Sequence, residues 1–180
     1  TEEWPRQIVG FRSVAVFDIS QTEGEPLPEL ERAAHGEGDW LLDVLQQIAG
    51  EWDIAVRIIA DKEWPHGTAW GVYGTSDERI DLRNRENTAD LARTFLHELA
   101  HARLHPETPE DSKQAAAFEL DAEATAAIVG RHVGLDTSGS RWYLSAWAHD
   151  EDISLADRCE AIAVTARGLI ERIDEKTGDR

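Results

Sequence analysis

Thr94-Phe95-Leu96-His97-Glu98-Leu99-Ala100-His101-Ala102 is the stretch on which the reading of this chain turns. Leu91, Phe95 and Leu99 recur at helical spacing and mark one face as core. His97 and His101 fall one turn apart on another face, so both imidazoles can meet one ion. Two neutral imidazole nitrogens suit zinc, at roughly 2.0–2.1 Å, with further ligands supplied from elsewhere. Manganese is the second candidate. Glu98 is rotated by about 100° from His97 and stands beside the ion instead of on it. A carboxylate there can take a proton from a water that the metal activates.

The third ligand must come from a neighbouring element. Phe118-Glu119-Leu120-Asp121-Ala122-Glu123-Ala124 offers two acids one turn apart on a second helix, which the Pro106-to-Thr108 turn folds back beside the first. The flanking alanines let the two helices approach closely. Acids on such a small-residue face are costly to bury without a cation, and a metal plus a histidine N–H compensates them. The expected division is Glu119 as ligand and Glu123 as acceptor for a ligand histidine's N–H. His105 is too far along the axis to share the ion, since three residues each one turn apart span about 12 Å. It reads as a helix C-terminal residue that complements the dipole or orients the site. Asp121 reads as surface. Trp142 and Tyr143 are candidates for lining a substrate cleft. His35, His66, His132 and His149 lack metal-ligand spacing.

Working outward, Val14 to Ile19 reads as a strand, and the Pro- and Gly-bearing segment Gln21–Pro28 as a connector. Asp39 to Ala49 predicts a helix capped by Asp39 and closed by Gly50. Residues 53–59, 68–73 and 79–83 read as three strands of a small antiparallel sheet, the last with its charges toward solvent. Asn87 or Thr88 starts the motif helix and Pro106 ends it. Thr108-Pro109-Glu110-Asp111 predicts the start of the next helix, which Gly134 stops. Trp142 to Trp147 suggests a short helix. Ser154 caps a last one with Ile162, Ala166, Leu169 and Ile173 on one side, and the charged tail after Asp174 reads as disordered. The expected class is α+β: a minimal zincin-like domain, with the small sheet packed against the H-E-x-x-H helix and further helices. Residues 1–30 read as a strand and connector, the remnant of a preceding domain junction, and residues 31–175 as the zincin-like domain.

The chain has 180 residues, enough for one sizeable core. Lys plus Arg number 18 against 36 Asp plus Glu, a formal charge of −18 that repels phosphate backbones. Nothing basic surrounds the motif, which counts against a metal-dependent nuclease. No apolar run reaches a membrane span's length, the start lacks a signal pattern, and one cysteine, Cys159, excludes an internal disulfide framework. A cytoplasmic protein is expected. The chain opens at Thr1 and has no methionine, so a segment of a longer protein is expected too.

Three stretches carry a family likeness: His97 to Ala102, Glu119 to Ala126, and Gly134-Leu135-Asp136-Thr137-Ser138. In them the chain resembles the zincin domain of the ArdC-type antirestriction proteins, related to the ImmA/IrrE metallopeptidases. Val16-Phe17-Asp18-Ile19-Ser20-Gln21-Thr22 resembles the junction after that group's N-terminal single-strand-DNA-binding domain. The resemblance implies a metal-dependent domain of bacteria or their mobile elements, often joined to a DNA-binding module that this sequence lacks. Two functions compete. One is a metalloendopeptidase acting on a protein substrate, with Glu98 as general base and His97, His101 and Glu119 on zinc. The other is a non-catalytic acidic interaction or antirestriction module that keeps the metal for structure.

Overall fold

Two units divide the chain, Thr1–Leu30 and Glu31–Arg180. The computed structural model describes residues 33–137 and 155–178, all within the second unit. The expected strand at Val14–Ile19 and the helix at Trp142–Trp147, with Trp142 and Tyr143, lie outside the described residues. So do Ser154 and His149.

Four helices and three strands are described: α1 (Asp39–Glu51), β1 (Ala55–Ile59), β2 (Gly71–Gly74), β3 (Arg79–Arg83), α2 (Thr88–Leu104), α3 (Ser112–His132) and α4 (Leu155–Thr177). The class is α+β. The sheet is mixed, in the order β1-β3-β2, which corrects the all-antiparallel expectation. β2 and β3 form the expected antiparallel pair, Gly71 opposite Leu82 and Gly74 opposite Arg79. β1 instead runs parallel to β3, from Ala55 opposite Arg79 to Ile59 opposite Arg83. The connector through the short 3-10 turn Asp61–Glu63 carries the chain past β3's position, so β3 returns between its two predecessors.

That central position changes the reading of β3. Ile80 and Leu82 are wholly buried, as alternation predicts, but Asp81 on the opposite face is buried too. Arg57 grips it with Nε 2.8 Å from Oδ1 and Nη2 2.6 Å from Oδ2; His66 Nε2 lies 2.9 Å and Arg79 Nε 3.2 Å away. Arg57's hydrogen bonds hold the Asp81 carboxyl far below its usual range, against burial.

α1 begins one residue earlier than a capping aspartate requires. Its N-cap is Gly38, and Asp39 is already helical. A β-carbon on Gly38 would stand 2.2 Å from the Thr88 carbonyl, so the glycine lets α1 start against the N-terminus of α2. The helix also runs through Gly50 to Glu51, because Trp52 and not a glycine turns the chain. α2 is capped by Asn87, whose side chain accepts from the Asp90 N–H at 3.0 Å. α3 starts later than Thr108-Pro109 suggested: Asp111 is the cap and accepts from the Gln114 N–H at 2.7 Å. α4 continues past Asp174 to Thr177, where order was not expected; Lys176 pairs with Glu51 of α1.

Leu41, Leu45 and Ile48 of α1, Ile80 and Leu82 of β3, Phe95, Leu96 and Leu99 of α2, Val129 of α3, and Leu169 and Ile173 of α4 form one core. Each such side chain contributes about 1.5–3 kcal/mol by leaving water. Burying that face of α2 fixes where its opposite face points: into the cleft between β2 and α3.

Candidate metal centre

α2 and α3 contribute the cleft's chemistry. With Phe95 and Leu99 held in the core, His97 and His101 turn to the cleft, their side chains 17% and 16% exposed. Their Nε2 atoms converge to 3.0 Å. Glu119 of α3 reaches in from the other side, Oε2 lying 3.3 Å from His97 Nε2 and Oε1 3.3 Å from His101 Nε2. One ligand atom from each of the three residues falls within 4.8 Å of the others. A tetrahedral ion with bonds of about 2.0–2.1 Å has ligand–ligand edges of about 3.3–3.4 Å. The two imidazole nitrogens and the Glu119 carboxylate, whose two oxygens each face one of them, are close enough to converge on one such ion, and two imidazoles with a carboxylate suit zinc. Glu119's side chain is 54% exposed and lines the cleft.

The surrounding groups set the charges. Burial opposes a charge on His97, but its hydrogen bonds to Glu119 and Glu123 outweigh that and raise its pKa to about 10. Hydrogen bonds from His101 and His97 hold Glu119 well below the usual carboxylate range. Glu123 lies 3.4 Å from His97 Nδ1, the ring nitrogen turned away from the triangle, and Arg93 Nη1 anchors both its oxygens at 3.0 and 3.1 Å. With Nδ1–H donated to Glu123, Nε2 is the nitrogen that a metal would take, displacing the proton it shares with Glu119.

Glu98 is 6% exposed and lines the same cleft. Burial raises its pKa against the charges of His97 and His101, and the Tyr73 backbone N–H hydrogen-bonds its carboxylate. Gly71 of β2 makes this approach feasible, because the backbone runs against the Glu98 side chain. The cleft has a volume of about 840 Å³ and is walled by Trp70, Val72 and Tyr73 on one side and Phe118 and Leu120 on the other. Its size lies within the range of small-molecule and peptide sites.

Asp121 corrects an expectation. It is 3% exposed, not surface, and is paired with His105 and Arg158. Three further neighbours were not singled out from the sequence. Arg93 had only its helical spacing from His97 as a signal; Tyr73 acts through a backbone N–H that any residue carries; Arg158 sits on a helix far along the chain. His66 and His132 meet Asp81 and Asp174, away from the triangle. His35 is tied through its backbone to Asp136.

No protein-family model matches the chain, and no solved structure matches it. An uncharacterized protein of Bacillus anthracis, pXO2-81, is 28% identical over 187 residues, which takes in 94% of this chain and 32% of that protein. The chain thus spans about a third of the length of the curated relative it matches.

Proposed function

We propose that this segment is a zincin-like metallopeptidase domain of the ArdC-type and ImmA/IrrE kind, with His97, His101 and Glu119 as metal ligands and Glu98 as general base. The supporting observation is the convergence of His97, His101 and Glu119, one ligand atom of each within 4.8 Å of the others, beside a buried carboxylate in an open cleft. A zinc ion bound there supplies a Lewis acid that acidifies water and polarises a carbonyl; manganese can serve the same donors. Glu98 takes the proton of the attacking water and returns it to the leaving amine. Burial raises its pKa, which makes it a stronger proton acceptor than an exposed carboxylate. Glu123 and Arg93 hold His97 in the orientation the ion needs. The edge strand β2 lines the cleft, so an extended segment of a protein substrate can lie along it. A cytoplasmic setting fits the single cysteine.

The acidic surplus, a formal charge of −18, favours a second reading: a metal-stabilised interaction or antirestriction module without catalysis. Among the described residues no helix is long and apolar enough to cross a membrane, and neither reading needs one. Substrate trapping separates them. A Glu98→Gln protein loaded with zinc should capture a protein that the wild type cleaves. A captured protein that the wild type leaves intact supports the interaction module.

A further inference from the structure

Trp70 stands at the head of the edge strand β2 and is 51% exposed. Among the described residues the large exposed hydrophobic side chains are Ile58, Trp70, Ile128 and Val164, and of these Trp70 alone lines the cleft. It is also the one with the most apolar surface to gain from being covered.

Its neighbours hold the ring in place. The guanidiniums of Arg83 and Arg85 each lie 4.9 Å from the ring centroid. Both are pinned in turn, Arg83 Nη2 to Asp61 at 2.5 Å and Arg85 Nε to Asp90 at 2.9 Å. Ala69 and Gly71 on either side are too small to shield the indole. A ring fixed in this way loses little freedom when a ligand stacks on it, so the contact keeps most of what apolar burial supplies.

The backbone of β2 sets a register. The Trp70 carbonyl accepts the N–H of Arg83, the residue opposite it, at 2.9 Å. Antiparallel alternation then turns the N–H and C=O of Val72 toward β3, and those of Gly71 and Tyr73 away from it. The Tyr73 N–H accordingly reaches Glu98 in the cleft. Both groups of Gly71 and the Tyr73 carbonyl face the side on which an added strand would pair. A residue of that strand opposite Trp70 projects its side chain on the face where the indole stands.

We propose that Trp70 is a specificity residue that takes a large apolar side chain, aromatic or branched aliphatic, from an extended protein segment paired along β2. This rests on the peptidase-cleft reading above for its setting. A stacked nucleobase is the poorer occupant, because Asp61 and Asp90 already neutralise the two cations that would hold its phosphate.

The test is selection from a random peptide library on Glu98→Gln protein in the presence of zinc, with and without Trp70→Ala, followed by anisotropy titration of the selected peptides. Peptides selected with Trp70 present should carry Phe, Tyr, Trp, Leu or Ile at one fixed position. That preference alone should vanish with Trp70→Ala, and affinity for a selected peptide should fall about tenfold, as expected for uncovering one large side chain. Trp70→Phe should restore most of it. No selected peptide, a selection without a fixed apolar position, or one unchanged by Trp70→Ala overturns the proposal. So does an oligothymidylate that binds and loses affinity in Trp70→Ala, which would make the ring a base platform. Wild-type protein that binds the selected peptides through Trp70 but leaves them intact sinks the peptidase reading and leaves this one standing. Cleavage of peptides with no preference tied to Trp70 does the reverse.

Discussion

Gly71 lies so close to Glu98 that a β-carbon there would stand 2.5 Å from Glu98 Oε1 and 2.7 Å from Thr94 Cγ2. The edge strand and the Glu98 carboxylate therefore share one space. Gly71→Ala should push the carboxylate aside while leaving His97, His101 and Glu119 in place. Cleavage should fall at least tenfold, toward the roughly 10²–10⁴-fold that losing a general base costs. Zinc content should stay at one per chain. Wild-type turnover in the alanine variant would show that Glu98 has room to spare.

The two acids of α3 should separate in a chelator titration. Glu119→Ala removes a carboxylate with one oxygen 3.3 Å from each imidazole and should abolish tight binding, as should His101→Ala. Glu123→Ala removes an acceptor on His97 Nδ1 and should cost about 10–100-fold. The opposite ranking would exchange their roles.

Glu98→Gln should show a trade between activity and stability. The amide cannot act as a base, so turnover should fall about 10²–10⁴-fold with metal retained. In the metal-free protein the same change should stabilise. Burial raises the folded pKa of Glu98 above 4.5, so the unfolded chain releases this proton first. Stability is thus lost as pH rises from 4.5 through the folded value, and glutamine escapes the loss. Thermal melts from pH 4.5 to 8 should show a gap between variant and wild type that widens with pH. A constant gap would remove this account.

Asp81 should behave in the opposite sense. Its folded pKa is lowered by Arg57, so its contribution is present above pH 3.8 and fades as pH falls below that value. Asp81→Asn should be clearly less stable than the wild type at pH 7, and the two urea midpoints should approach each other toward pH 3. Parallel midpoints across that range would mean the buried cluster contributes by packing and not by charge.

DNA binding should be absent in this segment. Acids outnumber basic residues 36 to 18, and Arg57, Arg79, Arg83, Arg85 and Arg93 are engaged by carboxylates. Anisotropy titration near physiological salt should give no saturation with single- or double-stranded DNA. Tight binding with a steep salt slope would bring the antirestriction reading forward.

What could be read from residues alone was what repeats locally. The core stripe of α2, its Asn87 cap and the buried side of α4 all follow from helical spacing, and the same spacing brings His97, His101 and Glu119 within consideration. Strand direction does not. Nothing in 60–70 states on which side of β3 the connector will leave β1, so the mixed sheet was not legible. Asp81 and Asp121 fail for a related reason. An acid on a strand or helix reads as solvent-facing until its cation is known. Arg57 lies 24 residues from Asp81, and Arg158 lies 37 residues from Asp121. Burial of charge is decided by tertiary pairing that no local pattern encodes.

The order β1-β3-β2 also bears on how the chain assembles as it leaves the ribosome. β1 emerges with no neighbour, because β2 belongs on the far side of a strand not yet made. β2 can pair only when β3 follows it, and β1 is paired only when that hairpin arrives. Ile58 and Arg57 therefore stay unpaired until Arg83 has been synthesised, and Asp81 meets its arginine in the same event. The two cleft helices come next, one directly after the other, and need no later strand to meet. The β2–β3 hairpin is thus the shortest-range encounter, with Gly74 and Arg79 5 residues apart, whereas His97 meets Glu119 across 22 residues and β1 meets β3 across 24.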